Sequence, residues 1–277
     1  GLINFSDLRP MRVMPYFGMK VEKSRRIAIV SAMHDELSQL LELMPDEHKQ
    51  TRAGREFWIG HLHRHDVVLV LSGIGKVAAA TTATLLIEHF DVSHIMFTGV
   101  AGGLAEGVTV GDIVVAESFM QHDLDVSPLF PKYEIPSYGV SAFNSDSRIA
   151  AELKQACADV LNDLSVMLTQ EAMTTFALSR PKLHHGLLVS GDRFVSTTAE
   201  SQILQQNLPA ALAVDMESAA FAQVCHDYGI PFAAVRTISD RADDDATVDF
   251  NCFLSEVASH YSAGIVDKWL SRKSGVF

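Results

Sequence analysis

The sequence predicts an α/β protein with a three-layer α/β/α architecture around a central mixed, mostly parallel sheet. Short β-branched runs alternate with longer segments whose apolar residues recur at helical spacing, the pattern of strands joined by crossover helices. That alternation implies a sheet covered by helices on both faces. No repeat, low-complexity tract or Pro/Gly/Ser-rich linker divides the 277 residues, a length at which one large core is ordinary. Residues 25–277 are therefore expected to form a single domain, preceded by an N-terminal extension over 1–24.

Arg26 to Ser31 (RIAIVS) reads as a strand that feeds a helix over Ala32 to Leu43, where Met33, Leu37, Leu40 and Leu41 keep helical spacing. Glu56 to His61 and Asp66 to Leu71 flank a polar turn and predict a hairpin. The SGIGK segment opens a helix through Ala78 to His89. His94 to Thr98 predicts a buried strand ending in a glycine-rich loop, and further strands are expected at Asp112 to Ala116, Leu187 to Ser190, Ala211 to Val214 and Phe232 to Thr237. Helices are expected at Glu217 to Tyr228 and Cys252 to Leu270. Ser127 to Ser141, rich in proline and aromatics, and Ser165 to His185, without clear turn chemistry, are expected as loops near a site or an interface.

Composition narrows the function. With 34 acidic against 22 basic side chains, the formal charge of −12 repels polyanions and argues against a nucleic-acid partner. A neutral or zwitterionic small molecule suits this field better. No apolar run approaches the roughly 20 residues of a membrane-spanning helix, and the apolar patch VMPYFGM near the N-terminus is too broken for a secretion signal. Cys157, Cys225 and Cys252 are odd in number, widely spaced and outside any CxxC pattern, which argues against a disulfide framework or thiolate metal site and for a reducing cytoplasm.

In sheets of this kind ligands gather at the carboxyl ends of strands. Four such places hold chemistry: Ala32 to Glu36, Thr98 to Gly103, Val214 to Glu217 and Arg236 to Asp240. Three of them carry an acid, Glu36, Glu217 and Asp240. Carboxylates converging on one crevice repel each other unless each has separate polar work. Hydrolysis of a nucleoside supplies such work: one acid protonates the leaving base, one carboxylate activates water, and one accepts hydrogen bonds from ribose hydroxyls. The competing account is that all three are helix N-terminal acids favoured by the macrodipole.

Other signals are discounted. Ser72 to Lys76 lacks the GxxxxGK[ST] spacing, and Val77 stands where a magnesium-binding hydroxyl would be, so a tight strand-to-helix turn is expected instead. His61, His63 and His65 alternate, but no acidic or cysteine partner sits at convincing sequence spacing, and a solvated hairpin accounts for them. His122, Asp123 and Asp125 resemble a ligand cluster in composition only.

From Arg26 to about Leu270 the chain resembles the 5'-methylthioadenosine/S-adenosylhomocysteine nucleosidases, within the wider nucleoside phosphorylase superfamily. The matching segments, in order, are IAIVSAMHDE, SGIGKVAAATTATLLIEHF, FTGVAGGLAEGVTVGDIVVAE, HDLDVS, GLLVSGDRFV, AVDMESAAFAQVCHDYGIPF and VRTISDRADDDATVDFNCFL. The resemblance implies that Asp240 protonates adenine N7, that Glu36 is the general base for water, and that Glu217 clamps the ribose hydroxyls. It implies that Phe194 stacks on adenine beside Val195, whose backbone meets the base. Met33, Met216 and Phe250 become walls around the ribose and the 5'-thio substituent, and Arg236 lies near the water and its carboxylate. Val100, Ala101 and Gly102 belong to the glycine-rich segment, where Val100 replaces the family's usual hydroxyl residue and so removes one hydrogen bond near the water or ribose. Ser127 to Ser141 differs from better-known members in a region that walls the 5' pocket across a dimer interface, and Ser165 to His185 resembles an insertion. The expected partners are a small nucleoside substrate, adenine as product and a second copy in a homodimer, with no cofactor and no metal.

The expected reaction is hydrolysis of 5'-methylthioadenosine and S-adenosylhomocysteine. The alternatives on the same fold are a purine nucleoside phosphorylase, a futalosine-type hydrolase and a non-catalytic nucleoside-binding protein. Phosphate as nucleophile calls for convergent cationic donors, whereas the loop after the first strand offers His34, Asp35 and Glu36. A general base, in turn, has no use in a protein that only binds.

Overall fold

The computed structural model describes residues 26–273; the extension expected over 1–24 lies outside the described residues. Strand β1 (Ile27–Ser31) is buried along its whole length between two parallel neighbours, β4 (His65–Leu71) and β5 (His94–Gly103). Its successive residues serve two cores. Ile27 and Ile29 pack in a cluster shared with α1 (His34–Leu41), α3 (Ser147–Asn162) and α9 (Ser259–Arg272). Ala28 and Val30 pack in another, shared with α2 (Lys76–Glu88) and α7 (Ser218–Tyr228). Burial on both faces is why the run is apolar throughout.

The sheet is mixed, but it is not mostly parallel: among the described residues five strand pairings are parallel and five antiparallel. Part of the difference lies in the meander of β2 (His48–Arg52), β3 (Arg55–Leu62) and β4, whose two-residue connections can only join antiparallel neighbours. Both turns have positive φ at both central residues, Ala53 and Gly54 in one and His63 and Arg64 in the other, the handedness that matches strand twist. The rest lies around β6 (Ile113–Gln121), which runs antiparallel to β7 (Ala142–Asn144) and β10 (Phe232–Asp240) and parallel to β8 (Leu183–Ser190). With β9 (Ala211–Asp215) joining β8 to β5, and β10 joining β5 to β6, five strands close a circuit.

Four elements lie outside the sequence assignments: β2, β7, α3 and α6 (Thr198–Asn207). Strand β2 is polar and exposed at all five positions and exists only because β3 supplies a backbone ladder. Helix α3 has a local signal: the Asp146 side chain caps it by accepting from the Ile149 amide at 2.8 Å, and its buried residues recur at helical spacing from Ile149 to Val160. Residues 165–185 are also more regular than expected, forming most of α4 (Leu164–Met167), all of α5 (Gln170–Thr175) and the start of β8. Residues 127–141 hold no helix or strand. The C-terminal helix begins earlier than Cys252, as α8 (Ala246–Phe253), and passes through a π-helical turn over Leu254–Ala258 into α9. No helix among the described residues is long and apolar enough to cross a membrane.

Candidate active site

A cavity of about 440 Å³ opens at the carboxyl ends of β5, β9 and β10, beside the turn that follows β1. Met33, in that turn, lines it together with Val100, Ala101 and Gly102 of β5. The segment expected as a glycine-rich loop is strand: β5 runs on to Gly103, with Gly99 paired to Arg236 and Gly102 to Asp240 of β10. The extension depends on the absence of side chains. A Cβ at Gly99 would overlap the Arg236 guanidinium, and one at Gly102 would lie 3.0 Å from Asp240 Oδ1 and 2.9 Å from Ala242 Cβ.

Phe194 and Val195, in the loop after β8, form another wall. Phe194 stays 43% exposed, and its ring meets Phe250 of α8 edge-on at 5.8 Å. Met216 and Glu217 follow β9, while Arg236 and Asp240 come from β10. Eleven of the twelve residues expected at the site thus line one cavity; Glu36 does not.

Glu36 sits in the first turn of α1, 0% exposed. Its Oε2 accepts a hydrogen bond from Ser262 Oγ at 2.6 Å, and its Oε1 has no partner among the described residues. Burial raises the Glu36 carboxyl from 4.5 to about 7, opposed by the Ser262 hydrogen bond and the Arg236 charge and reinforced by Glu217 and Asp35. A carboxyl poised near neutrality has the proton affinity that a general base needs.

Arg236, 1% exposed, organises the polar floor. Its Nε lies 2.9 Å from Asp215 Oδ2, its Nη2 donates to Glu217 Oε1 at 3.1 Å, its Nη1 donates to Val100 O at 2.9 Å, and its guanidinium covers the Phe97 ring at 4.1 Å. Glu217 is held at its other oxygen by the Gly75 amide at 3.2 Å. Burial pushes the Glu217 carboxyl up against the opposing pull of Arg236. Asp240 is fixed by the Ser239 hydroxyl, which donates to Oδ2 at 2.8 Å, and by the Ala242 amide, which donates to Oδ1 at 2.7 Å.

Several functional residues escaped the sequence. Asp215 accepts from the Ser190 and Ser218 hydroxyls as well as pairing with Arg236, so it anchors the floor. Its local signal was its place beside Glu217 at a strand end. Ser239, adjacent to Asp240, and Ser190, at the end of β8, had the same kind of signal, whereas Ser262 had none. SGIGK behaves as a strand-to-helix turn: Gly75 binds Glu217, the Lys76 amide donates to Asp192 at 2.7 Å, and Lys76 Nζ donates to Asp123 at 2.7 Å. Two of the three alternating histidines have acidic partners that sequence spacing did not show, while His65 Nε2 lies 3.2 Å from Leu270 O. His61 lies 2.7 Å from both Asp46 and Asp66, and His63 lies 2.7 Å from Asp267, so they diverge to separate surface carboxylates.

The cavity can hold a flat aromatic group against Phe194, apolar groups against Met33, Met216 and Phe250, and hydroxyls against Glu217. Its two lining arginines are both committed to carboxylates, Arg236 as described and Arg193 to Glu200.

Comparison with known proteins agrees with this chemistry. Residues 26–271 match the family model of the phosphorylase superfamily. A 5'-methylthioadenosine/S-adenosylhomocysteine nucleosidase of Shewanella frigidimarina is 35% identical over 87% of this chain and 97% of its own length. The structure of the nucleosidase of that name from Colwellia psychrerythraea 34H, in complex with adenine, superposes with a TM-score of 0.80 at 32% identity, covering 91% of this chain and 97% of the other. A futalosine hydrolase of Helicobacter pylori has a TM-score of 0.77 at 29% identity, covering 90% of this chain and 98% of the other.

Proposed function

From the premise that the chain belongs to the 5'-methylthioadenosine/S-adenosylhomocysteine nucleosidase family, we propose that it hydrolyses the N-glycosidic bond of 5'-methylthioadenosine and S-adenosylhomocysteine. The products are adenine and the corresponding thioribose. The observation that carries this reading is the committed state of the cavity's arginines beside three buried acids. Phosphate would find no uncommitted cation among the described lining residues and would face Glu217 and Asp240. Water needs only a base.

In this reading adenine lies against Phe194 with Val195 beside it, and the 5'-thio group lies among Met33, Met216 and Phe250. As the C1'–N9 bond breaks, its electron pair passes to adenine, whose N7 takes a proton from Asp240. The ribose acquires oxocarbenium character, which the nearby Glu217 carboxylate stabilises while accepting from the hydroxyls. Water adds to C1' and gives its proton to Glu36. Protons then pass from Glu36 to solvent and from solvent to Asp240, restoring both groups. Val100 offers no hydroxyl to the water or the ribose.

We also read residues 25–277 as one domain with helices layered on both faces of the sheet, supported by the two core clusters that β1 serves. A homodimer is supported by the apolar, proline-rich stretch 127–141, of which no residue lines the cavity of its own chain. Dispersed free cysteines support a cytoplasmic location.

The test is incubation with methylthioadenosine, S-adenosylhomocysteine, adenosine, inosine and futalosine, each with and without phosphate, followed by product chromatography. Adenine release from the first two without phosphate is expected. A strict phosphate requirement with a ribose 1-phosphate product overturns hydrolysis, and a preference for futalosine overturns the substrate assignment.

A further inference from the structure

The Glu36 carboxyl is held from behind by one hydroxyl, itself backed by a second, that no part of the mechanism above uses. Ser262 of α9 donates to Oε2 at 2.6 Å, and Thr98 of β5 lies 2.9 Å from the same Ser262 oxygen, with both side chains fully buried. Ser262 has one proton. When Glu36 is ionised that proton goes to the carboxylate, so Thr98 must donate to Ser262 and the chain points toward Glu36. When the proton is taken up at Oε1, Oε2 still accepts from Ser262 and the chain keeps its direction.

Thr98 sits on β5 between Met96 and Val100, both of which face the core that contains α9. Val100, one step nearer the cavity mouth, brings no hydroxyl. Two buried polar atoms in this region lack partners among the described residues: Glu36 Oε1, and the Oγ of Ser31, which is the register partner of Thr98. Oε2 is therefore hydrogen-bonded, and Oε1 is the carboxylate oxygen without a partner among the described residues.

We infer that Ser262, backed by Thr98, is a positioning residue for the general base: it occupies Oε2, fixes the carboxylate rotamer and leaves Oε1 as the accepting atom. The inference rests on the reading of Glu36 as base. The hydrogen bond also favours the ionised form, alongside Arg236 and against Glu217 and Asp35; β5 and α9 present hydroxyls, not charges, to the carboxyl.

The experiment is the pH dependence of kcat/KM for methylthioadenosine in the wild type, Ser262→Ala, Ser262→Thr, Thr98→Val and Glu36→Gln, with circular dichroism on each. Removing a hydrogen bond to a charged group should move the acidic limb of the Ser262→Ala profile up by about one to two pH units, with KM little changed. Thr98→Val should move it the same way by less, and Ser262→Thr should restore it. An unmoved limb in folded Ser262→Ala overturns the inference; should that variant fail to fold, an unmoved limb in Thr98→Val does so. If Glu36→Gln retains both turnover and the limb, the base assignment falls and the inference with it. If Glu36→Gln loses them while the hydroxyl variants behave as wild type, only the inference falls.

Discussion

Replacing Glu36 by Gln tests the site through stability as well as rate. Burial raises the Glu36 carboxyl from its ordinary 4.5 to about 7, so folding favours the neutral form. The stabilisation that follows is complete below about pH 4.5 and is lost as pH rises through about 7. A tenfold change in proton affinity corresponds to about 1.4 kcal/mol, so the unliganded wild type should lose about 3 kcal/mol from this group between about pH 4.5 and about pH 8.5. Glutamine fills nearly the same space and does not ionise. Urea denaturation of both proteins across that range should show the Gln variant gaining on the wild type by about 3 kcal/mol toward alkaline pH. The same group should set the rate profile with the opposite benefit: kcat/KM rises with pH through about 7 as Glu36 becomes able to accept a proton, and the Gln variant loses about two to four orders of magnitude in turnover. Stability curves that stay parallel from acid to alkaline pH would refute the claim that a buried, ionising carboxyl sits behind this cavity.

On the proposed mechanism Asp240→Asn retains a polar group against adenine but delivers no proton, so steady-state kinetics should show kcat down by about two to four orders of magnitude with KM nearly unchanged. Glu217→Gln weakens the pair with Arg236 and, on the proposed mechanism, the ribose contacts, so KM should rise and kcat should fall together in the same assay. Gly99→Ala drives a methyl group into the Arg236 guanidinium; denaturant unfolding should show a loss of about 1–3 kcal/mol, with activity falling as the floor moves.

The amphipathic and apolar periods in the chain made most of the fold legible. The runs of β1 and the first half of β5 are apolar because both faces of the sheet are covered, and that pattern can be read locally. Helix α3 was not assigned, although its Asp146 cap and its helical spacing are local signals. Strand β2 was not legible, since HKQTR has no apolar face and is ordered only by its partner. The antiparallel β3–β4 hairpin was legible, but the antiparallel pairings of β6 were not, because the direction in which β6 meets β10 and β7 depends on where the chain returns after long connections.

The site divides along the same line. Sequence by itself determined which residue types stand at the strand ends, and hence the acids Glu36, Glu217 and Asp240, since chemistry at a strand terminus is a local property. Tertiary structure decided what each acid is worth. Arg236 lies beside Asp215 and Glu217 only because β10 and β9 meet β5. Glu36 is drawn out of the cavity wall and joined to Ser262, 226 residues away, because α1 and α9 pack in one core. Burial and hydrogen bonding set a carboxyl's proton affinity, and both are properties of the assembled neighbourhood, which no local stretch of chain contains.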